Sequence, residues 1–172
     1  MNASGKGRDT IFLIGFMGSG KSYWGKLWAA ESGLQFFDLD ELIEKEEQKT
    51  VAEIFEQNGE TYFRQRETAV LKTFTQKTNC IIACGGGTPC FNDNMQWMND
   101  NGTTVYLAAT PDDIFKRVIT EQAKRPLIKD LSPEALLHFI ENKLKERAPV
   151  YTKAKIILPV TSITTDTIKT IQ

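Results

Sequence analysis

Gly15-Phe16-Met17-Gly18-Ser19-Gly20-Lys21-Ser22 decides the fold. The stretch matches the phosphate-binding pattern G-x-x-x-x-G-K-[ST] at every fixed position. Before it runs the apolar, β-branched segment Thr10-Ile11-Phe12-Leu13-Ile14. After it, Tyr23-Trp24-Gly25-Lys26-Leu27-Trp28-Ala29-Ala30 reads as a helix. Strand, loop and helix in that order are the context the pattern requires. Glycines let successive backbone N–H groups converge on phosphate oxygens, and the helix N-terminus adds the positive end of its dipole. In such a loop Lys21 reaches the β- and γ-phosphates, and the Ser22 hydroxyl ligates Mg²⁺. The stretch predicts binding of a nucleoside triphosphate.

Outward from the loop, strand patterns recur at 10–15, 34–39, 79–84, 103–108 and 155–158. Their apolar runs hardly alternate, as in strands of a parallel sheet covered on both faces. Helical patterns at 40–48, 51–58, 59–77, 92–100, 111–121 and 132–147 separate them. The sequence thus predicts an α/β fold with three layers (α/β/α), a five-stranded parallel sheet and one domain over residues 1–172. Two stretches interrupt the alternation: a helical insertion at about 40–77 and a polar excursion at about 122–131. In small phosphotransferases such excursions cover the acceptor and close over the nucleotide, keeping water from competing.

Composition narrows the partners. With 41% hydrophobic and 25% charged residues and a net charge of −1, the chain reads as an ordinary globular protein. That balance offers no electrostatic basis for a nucleic-acid or anionic-membrane partner. No apolar run approaches the roughly 20 residues of a membrane span. Residues 1–9 lack the apolar core of a signal peptide, so a cytoplasmic location is expected. Cys80, Cys84 and Cys90 show no CxxC spacing, and the only histidine, His138, lies far off in a helix pattern. Zinc and disulfides are not expected, and His138 reads as structural.

Several residues beyond the loop carry chemistry. Asp38-Leu39-Asp40 ends the second strand pattern, where alternation sends both carboxylates to one side at the ligand-binding end of the sheet. One suits Mg²⁺ through water and the other an acceptor hydroxyl, although Asp40 as a mere helix cap is the competing reading. Arg64 has Glu60 at i−4 and Glu67 at i+3. Spacing alone leaves open a surface ion pair or a guanidinium clamp on a substrate carboxylate. Gly85-Gly86-Gly87 follows the third strand and permits close backbone approach to a ligand. Arg125, in the polar excursion, is placed to supply charge to a transferring phosphoryl group. Arg147 ends the last long helix pattern, where a cation is favoured in any case.

Taken in order, these elements resemble the shikimate kinase family over nearly the whole chain. They are the phosphate loop, Phe37-Asp38-Leu39-Asp40, Phe63-Arg64-x-x-Glu67, Gly85-Gly86-Gly87, Arg125-Pro126-Leu127-Ile128 and Arg147-x-x-x-Tyr151. The resemblance implies a P-loop kinase fold in which the 40–77 insertion binds the acceptor and 122–131 forms a lid. It implies that Asp40, Arg64, Gly86 and Arg147 hold shikimate, Arg64 and Arg147 by its carboxylate. Asp40 would also accept the proton of the 3-hydroxyl. Gly18, Ser19, Gly20, Lys21, Ser22 and Tyr23 would cradle ATP, Ser22 would ligate Mg²⁺ and Asp38 would support it through water. Arg125 would act from the lid on the phosphates, so that Lys21, Asp40 and Arg125 form the catalytic set. The implied products are shikimate 3-phosphate and ADP, a step toward aromatic amino acids, made by a monomer. Tyr23 departs from the family's usual threonine, and Cys84 from its usual Thr or Ser. Adenine contacts stay unassigned, with Arg117 the one candidate to stack on the base.

Two rival functions remain at this stage. One is another small-molecule kinase of the same fold, gluconate-type or acting on nucleoside monophosphates, against which the Asp40, Arg64 and Arg147 set argues. The other is a nucleotide-dependent switch. The guanine-specifying Asn-Lys-x-Asp is absent from the chain, which weakens it.

Overall fold

A computed structural model describes residues 10–125 and 127–171; residues 1–9, read above for a signal peptide, and Pro126 of the expected lid lie outside them. Five strands, β1 (Thr10–Ile14), β2 (Gln35–Asp38), β3 (Cys80–Ala83), β4 (Thr103–Ala108) and β5 (Ile156–Pro159), form one parallel sheet ordered β2-β3-β1-β4-β5. β1 is central and buried along its whole length. Its side chains alternate between two cores. Ile11 and Leu13 face one with Trp28 and Ile168, and Phe12 and Ile14 face the other with Leu39, Phe63 and Tyr151. This is why β1 reads as an unbroken apolar run: neither face meets water.

Helix α1 (Lys21–Ser32) lies on the first face. Helices α2 (Leu39–Glu47), α3 (Val51–Lys72), α4 (Asn94–Asn101) and the end of α6 (Pro133–Tyr151) cover the second. Helix α5 (Pro111–Val118) packs on α6 through a third cluster of Phe16, Ile114, Val118, Ile128, Leu136 and Ile140. A short helix, α7 (Ile168–Ile171), returns to α1, where the Trp28 indole N–H donates to the Thr164 carbonyl at 3.0 Å. No helix among the described residues is long and apolar enough to cross a membrane.

Three boundaries depart from expectation, each for a local reason. β2 stops at Asp38, and α2 begins at Leu39. Asp38, not Asp40, is the cap: its Oδ1 accepts from the Asp40 and Glu41 amides at 3.1 and 3.5 Å. Asp40 is therefore not a strand residue sharing a side with Asp38; it sits in the first turn of α2. The patterns at 51–58 and 59–77 stay two helical stretches of α3, divided at Gly59, whose φ of +82° is not helical, but the second ends at Lys72, where the chain tightens into a 3-10 turn over Thr73–Gln76. α6 runs through Pro149 to Tyr151, so Arg147 does not end it.

Candidate functional site

The phosphate loop is held open by its own backbone. Gly18 and Gly20 take φ of +76° and +94°, a region that side-chain-bearing residues rarely adopt. Lys21 opens α1, and its ammonium donates to the Gly15 and Phe16 carbonyls at 2.8 and 2.9 Å. Helices α2, α3, α5 and α6 each begin with a side-chain cap, from Asp38, Thr50, Thr110 and Ser132. α1, like α4, has no such cap and no acid in its first turn, and of the two it is α1 that opens from the glycine-rich loop. Its first N–H groups are left for an external anion.

Ser22, in the same turn, donates through Oγ to Asp38 Oδ2 at 2.5 Å. Asp38 thus joins the end of β2, the cap of α2 and the loop serine. Ser19 is buried, and its hydroxyl has no hydrogen-bond partner. Tyr23 is 65% exposed and meets only the edge of Trp24, at 5.3 Å between centroids; it does not pack on the core. Arg117 reaches across from α5 and donates to the Gly18 carbonyl at 3.0 Å. Cys84 is buried beside Met98, and burial pushes its thiol far above the ordinary range, so it behaves as a small apolar group.

Against the loop lies a cavity of about 780 Å³. Asp40, Arg64, Gly86, Arg125 and Arg147 all line it, brought from α2, α3, the turn after β3, the 119–131 segment and α6. Among the expected acceptor-site residues the structure leaves none outside. Asp40 turns inward, and its Oδ1 is buried without a hydrogen-bond partner. Burial pushes this carboxyl up to about 7, with the Asp38 and Glu67 charges adding and Lys21 opposing. Burial in turn pulls the Lys21 ammonium down to about 8, against the Asp40 charge. The two groups form a proton-poised pair near neutrality.

Arg64 is 7% exposed, so the ion pairs that the spacing offered form around a buried guanidinium, with only Glu60 at the surface. Its Nε and Nη2 donate to Glu60 at 3.2 and 3.1 Å, and Nη1 donates to Glu67 at 3.0 Å. The Phe91 ring lies 4.4 Å from the guanidinium carbon. A Cβ on Gly87 would sit 2.5 Å from Arg64 Nη2, so any side chain there would displace the guanidinium. A Cβ on Gly86 would approach Arg147 Nη1 to 3.2 Å, so both arginines press on the triple glycine. Arg147 lies over the Phe16 ring and, among the described residues, makes no ion pair. Arg125 pairs loosely with Glu121 at 3.5 Å, and its Nε is buried without a partner. Gln122 fixes the segment that follows, donating to the Ile128 and Leu131 carbonyls at 2.6 and 2.7 Å.

Sequence reasoning missed three supports. Glu67 is fully buried; the sequence showed it as an i+3 neighbour of Arg64 and in the Phe63-Arg64-x-x-Glu67 element, but with no role of its own. Thr88, equally buried, holds Glu67 and carried no signal beyond following the three glycines. Tyr151 donates to the Gly86 carbonyl at 2.5 Å, and its i+4 spacing from Arg147 was the available hint.

With this geometry in view, known proteins can be compared. The family model described as shikimate kinase matches residues 17–171. The shikimate kinase of Phocaeicola vulgatus is 45% identical over 145 residues, covering 84% of this chain and 83% of that protein. That of Azobacteroides pseudotrichonymphae is 44% identical over 90% of this chain and 91% of its own. The crystal structure of shikimate kinase from Bacteroides thetaiotaomicron superposes with a TM-score of 0.86 at 39% identity, covering 94% of this chain and 93% of that one. The Acinetobacter baumannii shikimate kinase in complex with shikimate gives 0.84 at 32% identity, covering 95% and 90%. The chain belongs to the shikimate kinase family.

Proposed function

We infer that the protein transfers the γ-phosphate of ATP to the 3-hydroxyl of shikimate, giving shikimate 3-phosphate and ADP. One observation carries the reading: a single cavity beside an uncapped phosphate-loop helix gathers an inward carboxylate, Asp40, and two arginines, Arg64 and Arg147. That is the complement of a small hydroxylated carboxylic acid placed next to a triphosphate. The arginines and the Gly86 turn bind the carboxylate, because planar guanidinium groups suit it. Asp40 takes the hydroxyl and, ionised, accepts its proton as the oxygen attacks phosphorus. Its position near pH 7 suits that exchange.

The residues from Gly18 to Tyr23 cradle the phosphates, and Lys21 exchanges its two loop carbonyls for phosphate oxygens. Ser22 and Asp38 present hard oxygens side by side, which fits Mg²⁺ held by the serine and, through water, by Asp38. When bound, the ion neutralises phosphate charge. Arg125, with a donor unspent, comes over the phosphates from the 122–131 lid, while the 40–77 insertion holds the acceptor. The form proposed is a monomer acting in the cytoplasm. The test is ADP release from ATP with shikimate, gluconate or AMP as acceptor. Release that depends on shikimate alone is expected; turnover of gluconate or AMP without shikimate overturns the reading.

A further inference from the structure

A buried polar chain runs into the wall of the cavity from Thr88 through Glu67 and ends on Arg64. The turn Gly85-Gly86-Gly87-Thr88 is closed by the Thr88 amide donating to the Gly85 carbonyl at 3.1 Å. Within the turn the Thr88 hydroxyl donates to Glu67 Oε1, and both oxygens lie close against Gly85. Glu67 Oε2 accepts from Arg64 Nη1 at 3.0 Å. Asn94, also buried, donates to the Thr88 carbonyl and to Thr68 Oγ1, both at 3.0 Å, and so fixes the turn from α4. Thr88 and Glu67 are completely buried; Glu67 borders the cavity and Thr88 does not.

We propose that Thr88 is a positioning residue for shikimate recognition, acting through Glu67 to hold the Arg64 fork in its binding orientation. A buried carboxylate needs a donor on each oxygen, and Glu67 has two: Thr88 on one, Arg64 on the other. Without the hydroxyl, Oε1 is stranded in a site that water does not reach. The carboxyl then turns toward Arg64 or takes up a proton, and either change loosens the anchor on Nη1. Arg64 retains Glu60, but that contact secures only its Nε and Nη2 edge. The orientation of the free end of the fork depends on the Thr88–Glu67 side. Pre-orientation of this kind lowers the cost of binding without touching the substrate.

This inference rests on the assignment of Arg64 to the shikimate carboxylate, so the experiment separates the two. Shikimate and ATP KM and kcat are measured for Thr88→Val, Thr88→Ala, Thr88→Ser, Arg64→Ala and the Arg64→Ala/Thr88→Val pair. Thr88→Val, matched in shape, should raise the shikimate KM on the order of five- to ten-fold, as expected for a weakened charged hydrogen bond. Its kcat and ATP KM should stay within about two-fold. Thr88→Ser keeps the hydroxyl and should behave as wild type, whereas a packing role would make it as poor as Thr88→Ala. In the Arg64→Ala background Thr88→Val should add nothing, because the residue it acts through is gone. Wild-type KM in Thr88→Val, equal losses in the Val, Ala and Ser variants, or full additivity with Arg64→Ala overturns the inference. Should the Val and Ala variants not fold, a raised KM in Thr88→Ser overturns it. An unchanged shikimate KM in Arg64→Ala itself would instead overturn the assignment of the arginine.

Discussion

Lys21 and Arg64 flank the same cleft, yet they are held in different ways. Lys21 leans on Gly15 and Phe16, six and five residues back in its own loop. Arg64 leans on Glu60 and Glu67 of its helix, and Glu67 in turn on Thr88, 21 residues further along the chain. The nucleotide side is thus largely one contiguous segment, with a helix end left uncapped for an anion. The acceptor side exists only after α2, α3, the glycine turn and α6 have packed together. A contiguous site acts on chemistry as a unit, whereas an assembled one divides its work among residues that can be lost singly.

The sharpest test of that contrast is Lys21→Ala. Phosphoryl transfer is mostly positioning and charge stabilisation, so kcat should fall at least about 100-fold. A near-wild-type kcat would remove the loop from the reaction. Asp40→Asn comes next. Loss of the proton acceptor should lower kcat by about 100-fold or more, and wild-type kcat/KM for shikimate, which reports the free enzyme, should rise with pH through about 7 as Asp40 ionises. Stability should move the opposite way. Because the fold raises this carboxyl, its ionisation costs stability as pH climbs toward and past 7. At pH 8 the asparagine variant should melt a few degrees higher than wild type, by roughly 2–4 °C per kcal/mol, and the gap should close toward pH 4. Calorimetry showing a wider gap at pH 4 than at pH 8 would reverse the sign.

Arg64→Ala should raise the shikimate KM about ten-fold or more while sparing the ATP KM; equal damage to both would mean that the two sides are not separable. The smallest effect belongs to Tyr23→Phe. The ring is exposed and touches only Trp24, so ATP KM should stay within about two-fold and the melting temperature should not move. A ten-fold change in ATP KM would make the hydroxyl a phosphate contact after all.

The same contrast explains what could be read from the sequence. β4 falls on its expected bounds and the phosphate loop on its motif, because both are set by neighbours in the chain. The α2 boundary slipped by one residue because two aspartates compete for one cap, and only packing shows which turns inward. Gly59 was legible as a break, and the structure keeps it as one between the two helical stretches of α3. The last helix pattern stopped at Arg147, but α6 runs on through Pro149 to Tyr151 and its bond to Gly86. Thr88 was invisible: a threonine after three glycines looks the same whether it faces water or a buried glutamate.

The aromatic side of α1 has a spectroscopic consequence. Of three tryptophans in the chain, Trp24 and Trp28 lie on this helix with ring centroids 5.9 Å apart. Trp24 Cδ1 would be 3.2 Å from a Cβ on Gly20, so the indole borders the phosphate loop itself. Trp97 packs edge-on against Phe12 on the opposite face of the sheet. The protein therefore carries its own optical reporter: filling the loop should alter Trp24 emission, with Trp97 beneath the sheet as an internal reference.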